Sequence, residues 1–376
     1  MNLSIGTERP ELLLAIVLAI VAIGIWMEGQ KKLAEYGVLF IILCSTVLSA
    51  FSIIPRSASV YSFIVSYLVP MSLPMLLFKA NLVEIWRESG RVILAFCLAA
   101  TATGFCSVLG LMMFDLGPRE SEIGGAMSAG FIGGAVNTAA VADAYGITDD
   151  PIMGIALAAG YLVVIPFLAF IVMFPTMKRL WKLFSPNSLD TNQTNETNQE
   201  AVDEASPTAF SICASICIAF LIVAVSDWLA GLSGFAPMKY LAITVLSVGF
   251  ATCLPRQASR LHGHYDLGRI AIYCFFVVIG AGINFSLAME TGFVFAAFSA
   301  IVMFGHLILL AILGRIFKLT GAELIIASNA CVLGPPTAAA MALSRGWYAL
   351  VTPALLVGVL GYVLGTFFGI LIGSLL

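Results

Sequence analysis

Two segments of the sequence gather glycine, proline and small oxygen-bearing side chains inside runs that are otherwise apolar. The first, EIGGAMSAGFIGGAVNTAAVADAYG, spans 122–146; the second, ELIIASNACVLGPPTAAAMALSRG, spans 323–346. Each breaks at one aligned place, Gly133-Gly134 in the first and Gly334-Pro335-Pro336 in the second. Glycine lowers helix stability by roughly 1 kcal/mol per residue, and proline removes a donor and clashes with the preceding turn. An interrupted helix frees N–H groups that attract anions and carbonyls that attract cations. Ser128, Asn137 and Thr138 lie beside the first break, and Ser328, Asn329 and Thr337 beside the second. Their oxygens suit a hard cation such as Na⁺. Ser128, Asn137, Thr138, Asn329 and Thr337 are therefore the candidate ion ligands. Gly133, Gly134, Gly334, Pro335 and Pro336 are the candidate solute-facing backbone. The competing role is packing, in which Gly and Ala let helices approach and Ser, Thr and Asn satisfy backbone groups.

Such broken backbone needs a particular setting. Of 376 residues, 60% are hydrophobic and 10% charged, and the mean hydropathy is +1.03. Soluble domains carry about 25% charged residues, so the expected solvent is lipid, and continuous apolar runs make the spans helices rather than barrel strands. The expected class is an all-α polytopic membrane protein. In hydrocarbon, irregular backbone is tolerated only inside protein or beside a water-filled cavity. Twelve apolar segments are marked, near 11–28, 36–54, 60–82, 91–114, 122–145 and 151–177, then 208–230, 238–254, 267–289, 292–317, 322–343 and 349–376. The sole long polar stretch, 185–207, is rich in Asn, Thr and Gln and reads as a disordered linker between a first repeat at 1–184 and a second at 208–376.

The halves match in order. Pro55-Arg56 recurs as Pro255-Arg256, Glu122 as Glu323, Gly133 as Gly334, Trp26 as Trp228, Pro151 as Pro353 and Asn81 as Asn284. In this register Ala338 stands opposite Asn137. A duplicated helical unit suits a secondary transporter, in which inverted halves rock about a central site. Inversion needs an odd number of crossings per copy. If all twelve segments cross, the 18 Lys and Arg divide 11 to 7 between the two sides; if the fifth of each copy fails to cross, they divide 14 to 4, the four being Arg9, Arg56, Arg119 and Lys239. The positive-inside bias favours the second arrangement, with both termini outside and the linker cytoplasmic. Glu8, Arg9 and Glu11 precede the first run in place of a basic stretch, so a cleavable leader is not expected.

The ionisable residues narrow the function. A net charge of −3 gives no basic footprint for nucleic acid. Glu122, Asp143, Asp149, Asp150, Glu290 and Glu323 all fall at segment ends, which weakens a proton relay. His306, in VMFGHLILL, is at mid-span depth and is either a neutral hydrogen-bonding residue or part of a proton or solute path; it joins the candidate solute-binding residues. Eight cysteines lie scattered without metal spacing and read as small packing residues. No hydrolytic triad, HExxH or phosphate loop is legible, so an enzyme is not expected and neither is a cofactor.

At GFIGGAVNTAAVADAYG and VLGPPTAAAMALSRG the chain resembles the YjcL-like family of integral membrane proteins, over nearly its whole length. Through that family it resembles the superfamily of cation:proton antiporters, bile acid:sodium symporters and related anion carriers. The resemblance implies a panel domain, about 11–82 and 208–289, and a mobile core, about 91–177 and 292–376, that carries the two interrupted helices. It implies sodium ligands near the break, which Asn137 and Thr138 fit. The antiporters' mid-membrane acids have no counterpart here. The expectation is a Na⁺-coupled symporter of a small organic, anionic solute in the plasma or inner membrane, with a homodimer formed through the panel. A proton-coupled exporter is the alternative within transport, and a membrane enzyme or receptor the alternative outside it.

Overall fold

A computed structural model describes residues 9–30, 37–177, 181, 184, 206–235, 237–283 and 285–375. Lys31, Lys32, Asn284 and the linker expectation at 185–205 lie outside the described residues. All regular structure among the described residues is helical. The helices are α1 (Pro10–Glu28), α2 (Gly37–Ala50), α3 (Ser59–Leu77), the short α4 (Leu82–Glu88), α5 (Gly90–Met113), α6 (Glu120–Gly133), α7 (Ala135–Ala144) and α8 (Pro151–Met173). Beyond residues 185–205 come α9 (Ala209–Ser233), α10 (Met238–Cys253), α11 (His264–Gly282), α12 (Phe285–Ile316), α13 (Gly321–Val332), α14 (Pro335–Ser344) and α15 (Val351–Leu375).

Eight of these are long and apolar enough to cross a bilayer, and α2, α10 and α13 are shorter apolar helices. At 1.5 Å per residue, about 20 residues span the hydrocarbon core. Local chemistry sets the ends. Pro10 and Pro151 sit at the first helical position, where a missing N–H costs nothing. Thr208 with Ser211, and Thr320 with Glu323, form reciprocal caps that satisfy orphan donors. Asn81 caps α4 by accepting from the Val83 and Glu84 amides. Within α3 a π turn at Ile64–Leu68 comes just before Pro70, a residue that cannot donate to the helix ladder.

The same order of elements occurs twice, α1, α2, α3, α5, α6–α7 and α8 answering to α9, α10, α11, α12, α13–α14 and α15. Packing sorts them into two groups. The first three of each half, α1–α3 and α9–α11, pack with one another, α2 and α3 lying along α11 and α9 along α10. The later ones, α5–α8 and α12–α15, form the other group, in which α12 packs on α5 and α8, and α15 lies along α6.

The fifth segments do not run straight. Gly134, at φ 80° and ψ −174°, ends α6 and begins α7, and Gly334, at φ 94°, stands between α13 and α14. At both points the chain doubles back. Arg119, just before α6, donates to the carbonyls of Tyr145 and Gly146, just after α7. Both arms also touch the same turns of α15: a Cβ at Gly369 would meet the Ala129 Cβ and Gly125 carbonyl from α6 and Val141 from α7. The second hairpin closes likewise, with Trp181 lying against Gly321 at the start of α13 and stacked at 6.0 Å on Trp347 after α14.

This geometry changes two expectations. At the two turns the glycines of positive φ are Gly134 and Gly334, 200 apart, so Thr337 rather than Ala338 answers to Asn137. Pro335 and Pro336 fill the first two positions of α14, where proline is well accommodated, so they do not interrupt a helix from within.

Candidate functional site

The two hairpin tips meet. The thiol of Cys331, two residues before the second turn region, donates to the carbonyl of Phe131 near the end of α6, at 3.3 Å, and lies 3.7 Å from the Thr103 hydroxyl of α5. On α15 a glycine face at Gly358, Gly361 and Gly365 takes both tips: Gly358 abuts Pro335, Gly361 abuts Ile132 and Gly133, and Gly365 abuts Ala129 and Asn137. Without Cβ atoms the backbones approach closely, as small residues allow between membrane helices.

Beside the tips lies a cavity of about 580 Å³ between the two helix groups. From the tips, Gly134, Ala135, Val136 and Thr138 line it on one side and Gly334, Pro336 and Thr337 on the other. The N-terminal ends of α7 and α14 thus face one space. From the opposing group come Glu28 at the end of α1 and Tyr265, Arg269 and Tyr273 of α11; Tyr161 of α8 and Tyr362 of α15 complete the polar lining. Tyr273 donates to Glu28 Oε1 at 2.6 Å, and Arg269 Nη1 stands 3.9 Å from Glu28 Oε2. Arg269 Nη2 donates to the exposed Asp266 at 3.2 Å.

The residues singled out from sequence divide accordingly. Gly134, Thr138, Gly334, Pro336 and Thr337 line the cavity, whereas Gly133, Pro335, Ser128, Asn137 and Asn329 are packed behind that lining. Asn137 donates through Nδ2 to the Tyr362 carbonyl (2.7 Å) and the Thr366 hydroxyl (2.8 Å). A carbonyl can only accept, which fixes the amide orientation. Its Oδ1 is then buried without a hydrogen-bond partner, and a Cβ on Gly133 would come within 2.4 Å of it. Thr337 donates to Asn329 Oδ1 at 2.7 Å, tying the arms of the second hairpin together. Ser128 donates back to the Gly124 carbonyl. His306 is fully buried away from the cavity, with Nε2 3.0 Å from the Ser328 hydroxyl and its ring against Phe167. It holds α12 to α13.

Sequence reasoning passed over Glu28, Arg269 and the tyrosines. One signal was present. Tyr265, Arg269 and Tyr273 recur at i, i+4 and i+8, on one face of α11. With the segment begun near 267, Arg269 counted as a loop charge; α11 begins at His264 and carries Arg269 into its second turn.

The turn at Gly134 is directly testable. Its backbone lies in a region that only glycine adopts without strain, worth of order 1–3 kcal/mol for any other residue. Gly134→Ala is expected to lower the melting temperature of the purified protein and to displace the tip. An unchanged melt would show that the turn is not fixed at this residue.

Helices long enough to cross a bilayer, packed around a cavity into which two hairpins project, define a polytopic helical membrane protein. A family model described as a protein of unknown function (DUF819) matches residues 15–376. The chain is also similar to the "Uncharacterized membrane protein YjcL" of Bacillus subtilis (strain 168), 30% identical over 373 residues, covering 95% of this chain and 94% of that one. The chain belongs to this DUF819 membrane-protein family.

Proposed function

We propose that the protein is a secondary transporter that carries a small, carboxylate-bearing organic solute by alternating access, coupled to Na⁺. The observation that carries the reading is the cavity, which places two inward-projecting hairpin tips opposite Arg269 and Glu28 of the other helix group. In this reading α1–α3 with α9–α11 are the panel, and α5–α8 with α12–α15 the moving core. The halves are inverted copies of five full crossings and one re-entrant hairpin each, which meets the parity requirement. The 14-to-4 division of Lys and Arg then puts the end of α1 and the start of α11, and with them the part of the cavity lined by Glu28 and Arg269, on the cytoplasmic side.

Anion affinity comes from Arg269 and from the N-terminal end of α7, whose first amides have no carbonyl one turn back. The second tip contributes less, because Pro335 and Pro336 lack N–H groups. Cation affinity comes from the elbow of the first hairpin. There Asn137 Oδ1 is buried without a donor, at the carbonyl end of α6, and Thr138, whose hydroxyl lies against Gly130, lines the cavity. A buried acceptor left unsatisfied costs about 1–3 kcal/mol, and Na⁺ coordination removes that cost.

Removing one oxygen should therefore shift ion dependence more than folding. Asn137→Ala and Thr138→Val are each expected to raise the Na⁺ concentration for half-maximal uptake in proteoliposomes by about tenfold. Unchanged Na⁺ dependence in both variants would leave them as packing residues. Glu28 favours a second reading, proton coupling, since a carboxylate in the cavity can carry a proton. Uptake driven by a pH gradient in Na⁺-free medium would select it.

A further inference from the structure

We infer that the solute recognised in this cavity is a zwitterionic amino acid with an apolar side chain, its carboxylate taken by Arg269 and the first hairpin tip and its ammonium by Glu28 and the surrounding tyrosines. The inference deepens the proposed transport function and rests on it. It starts from the charges. Glu28 and Arg269 are the ionisable acid and base of the lining, and they cancel. A carboxylate docked on Arg269 must sit within a few ångströms of the Glu28 carboxylate, because Nη1 and Oε2 are only 3.9 Å apart. In a partly desolvated cavity two like charges at that separation repel strongly. A simple organic anion would meet this repulsion. A solute that carries its own cation beside its carboxylate turns it into attraction.

The pair is not closed on itself. Structural Arg–carboxylate pairs draw to about 2.7–2.9 Å, and at 3.9 Å neither group satisfies the other. Glu28 Oε1 accepts from Tyr273, which fixes the carboxylate, while Oε2 has Arg269 Nη1 as its neighbour at that longer distance. Arg269 is held from the far side by Asp266, and its Nε is buried without a hydrogen-bond partner. An acceptor and a donor so placed are complementary to the adjacent ammonium and carboxylate of an α-amino acid.

Two further features agree. Tyr161, Tyr265, Tyr273 and Tyr362 bring four electron-rich rings to the lining, which favours an organic ammonium. Much of the remaining lining is aliphatic, including Ile25, Val38, Leu76, Leu157 and Ile272. It suits an apolar side chain, as ligand cavities of 300–1,000 Å³ commonly do.

The test is a ligand series on the purified full chain, read as thermal stabilisation and as calorimetric affinity, with and without Na⁺. The probes are L-leucine, 4-methylpentanoate, which lacks the amino group, and 3-methylbutylamine, which lacks the carboxylate. L-Phenylalanine, 3-phenylpropanoate and phenethylamine form a second set. An amino acid is expected to bind at least about tenfold more tightly than either of its truncated partners. Glu28→Gln should remove that preference for the amino acid over the acid while the acid binds as well or better. Tyr273→Phe, which frees Glu28 from its fixed orientation, should reduce the preference and keeps the question answerable if Glu28→Gln does not fold. If the acids bind as tightly as the amino acids in the native chain, the ammonium contact is overturned and the carboxylate-transport reading stands. If only the amines bind, or if no probe in either set binds, the inference is overturned. Na⁺-dependent uptake of any other carboxylate would then decide the transport reading separately.

Discussion

Gly365→Val is expected to yield no stably folded protein, whereas Gly249→Ala should be neutral or stabilising. Both residues are helical glycines in apolar segments, and helix propensity alone favours alanine over glycine by up to about 1 kcal/mol. Their surroundings decide the sign. A Cβ on Gly249 meets nothing within 4 Å. A Cβ on Gly365 would lie 2.8 Å from the Ala129 carbonyl and 2.9 Å from the Asn137 amide. The carbonyl is backbone and cannot rotate away. Moving Asn137 forfeits its bonds to Tyr362 and Thr366. Alanine there should already cost about 1–3 kcal/mol by overpacking, and valine more. Because the same face of α15 takes both hairpins, the damage should reach the second tip through Gly358 and Pro335. Size-exclusion profiles and melting curves of Gly365→Ala, Gly365→Val and Gly249→Ala check this. Equal melts for the two alanine variants would mean that α15 does not hold the hairpins closely.

Much of this was legible in the residues. Apolar runs of span length gave every long helix, because lipid requires backbone groups to be satisfied within the segment. The fifth segments stood out because glycine pairs and Pro-Pro disfavour a continuous helix inside an apolar run, and the charge asymmetry already favoured a doubled-back path. The offset at the elbow was less legible. With two adjacent glycines, only the backbone angles tell which one turns, and Gly134 rather than Gly133 has the positive φ. That one-residue difference moved Asn137's counterpart from Ala338 to Thr337. His306 stood out as a lone titratable group at depth, yet burial and Ser328 give it a structural place. The cavity-lining face of α11 was hidden for the opposite reason. Arg269 lies near a segment end, where sequence alone cannot separate a loop charge from one that turns inward. Glu28 became significant only through its distance from residues about 240 positions away, and no local pattern encodes such a distance.

The largest functional change is expected from Tyr240→Phe. Tyr240 is fully buried in the first turn of α10, and its hydroxyl donates to Asp143 Oδ2 of α7 at 2.5 Å. The bond joins the first hairpin to the opposing helix group. It also lies at the far end from Arg269: α10 runs toward the turn from which α11 departs, so its first turn and that of α11 are at opposite ends. In the proposed orientation the contact closes the extracellular side while the cavity reaches the cytoplasmic one. Lys239 is held nearby by Asp227 at 3.0 Å. In the proposed alternating-access cycle the hairpin leaves α10, and this bond breaks. A hydrogen bond to a charged group contributes about 1.5–3 kcal/mol, and removing it should shift the balance toward the outward-open state by roughly ten- to hundredfold. A reporter cysteine at Ala135, on the cavity wall, with the native cysteines replaced by alanine, reads the shift. Tyr240→Phe should speed its labelling by an impermeant thiol reagent from outside and slow labelling from inside. Asp143→Ala should act in the same direction, since it removes the acceptor of the same bond. If neither variant changes the ratio of outside to inside labelling, the Tyr240–Asp143 bond persists through the cycle and the moving boundary must lie elsewhere.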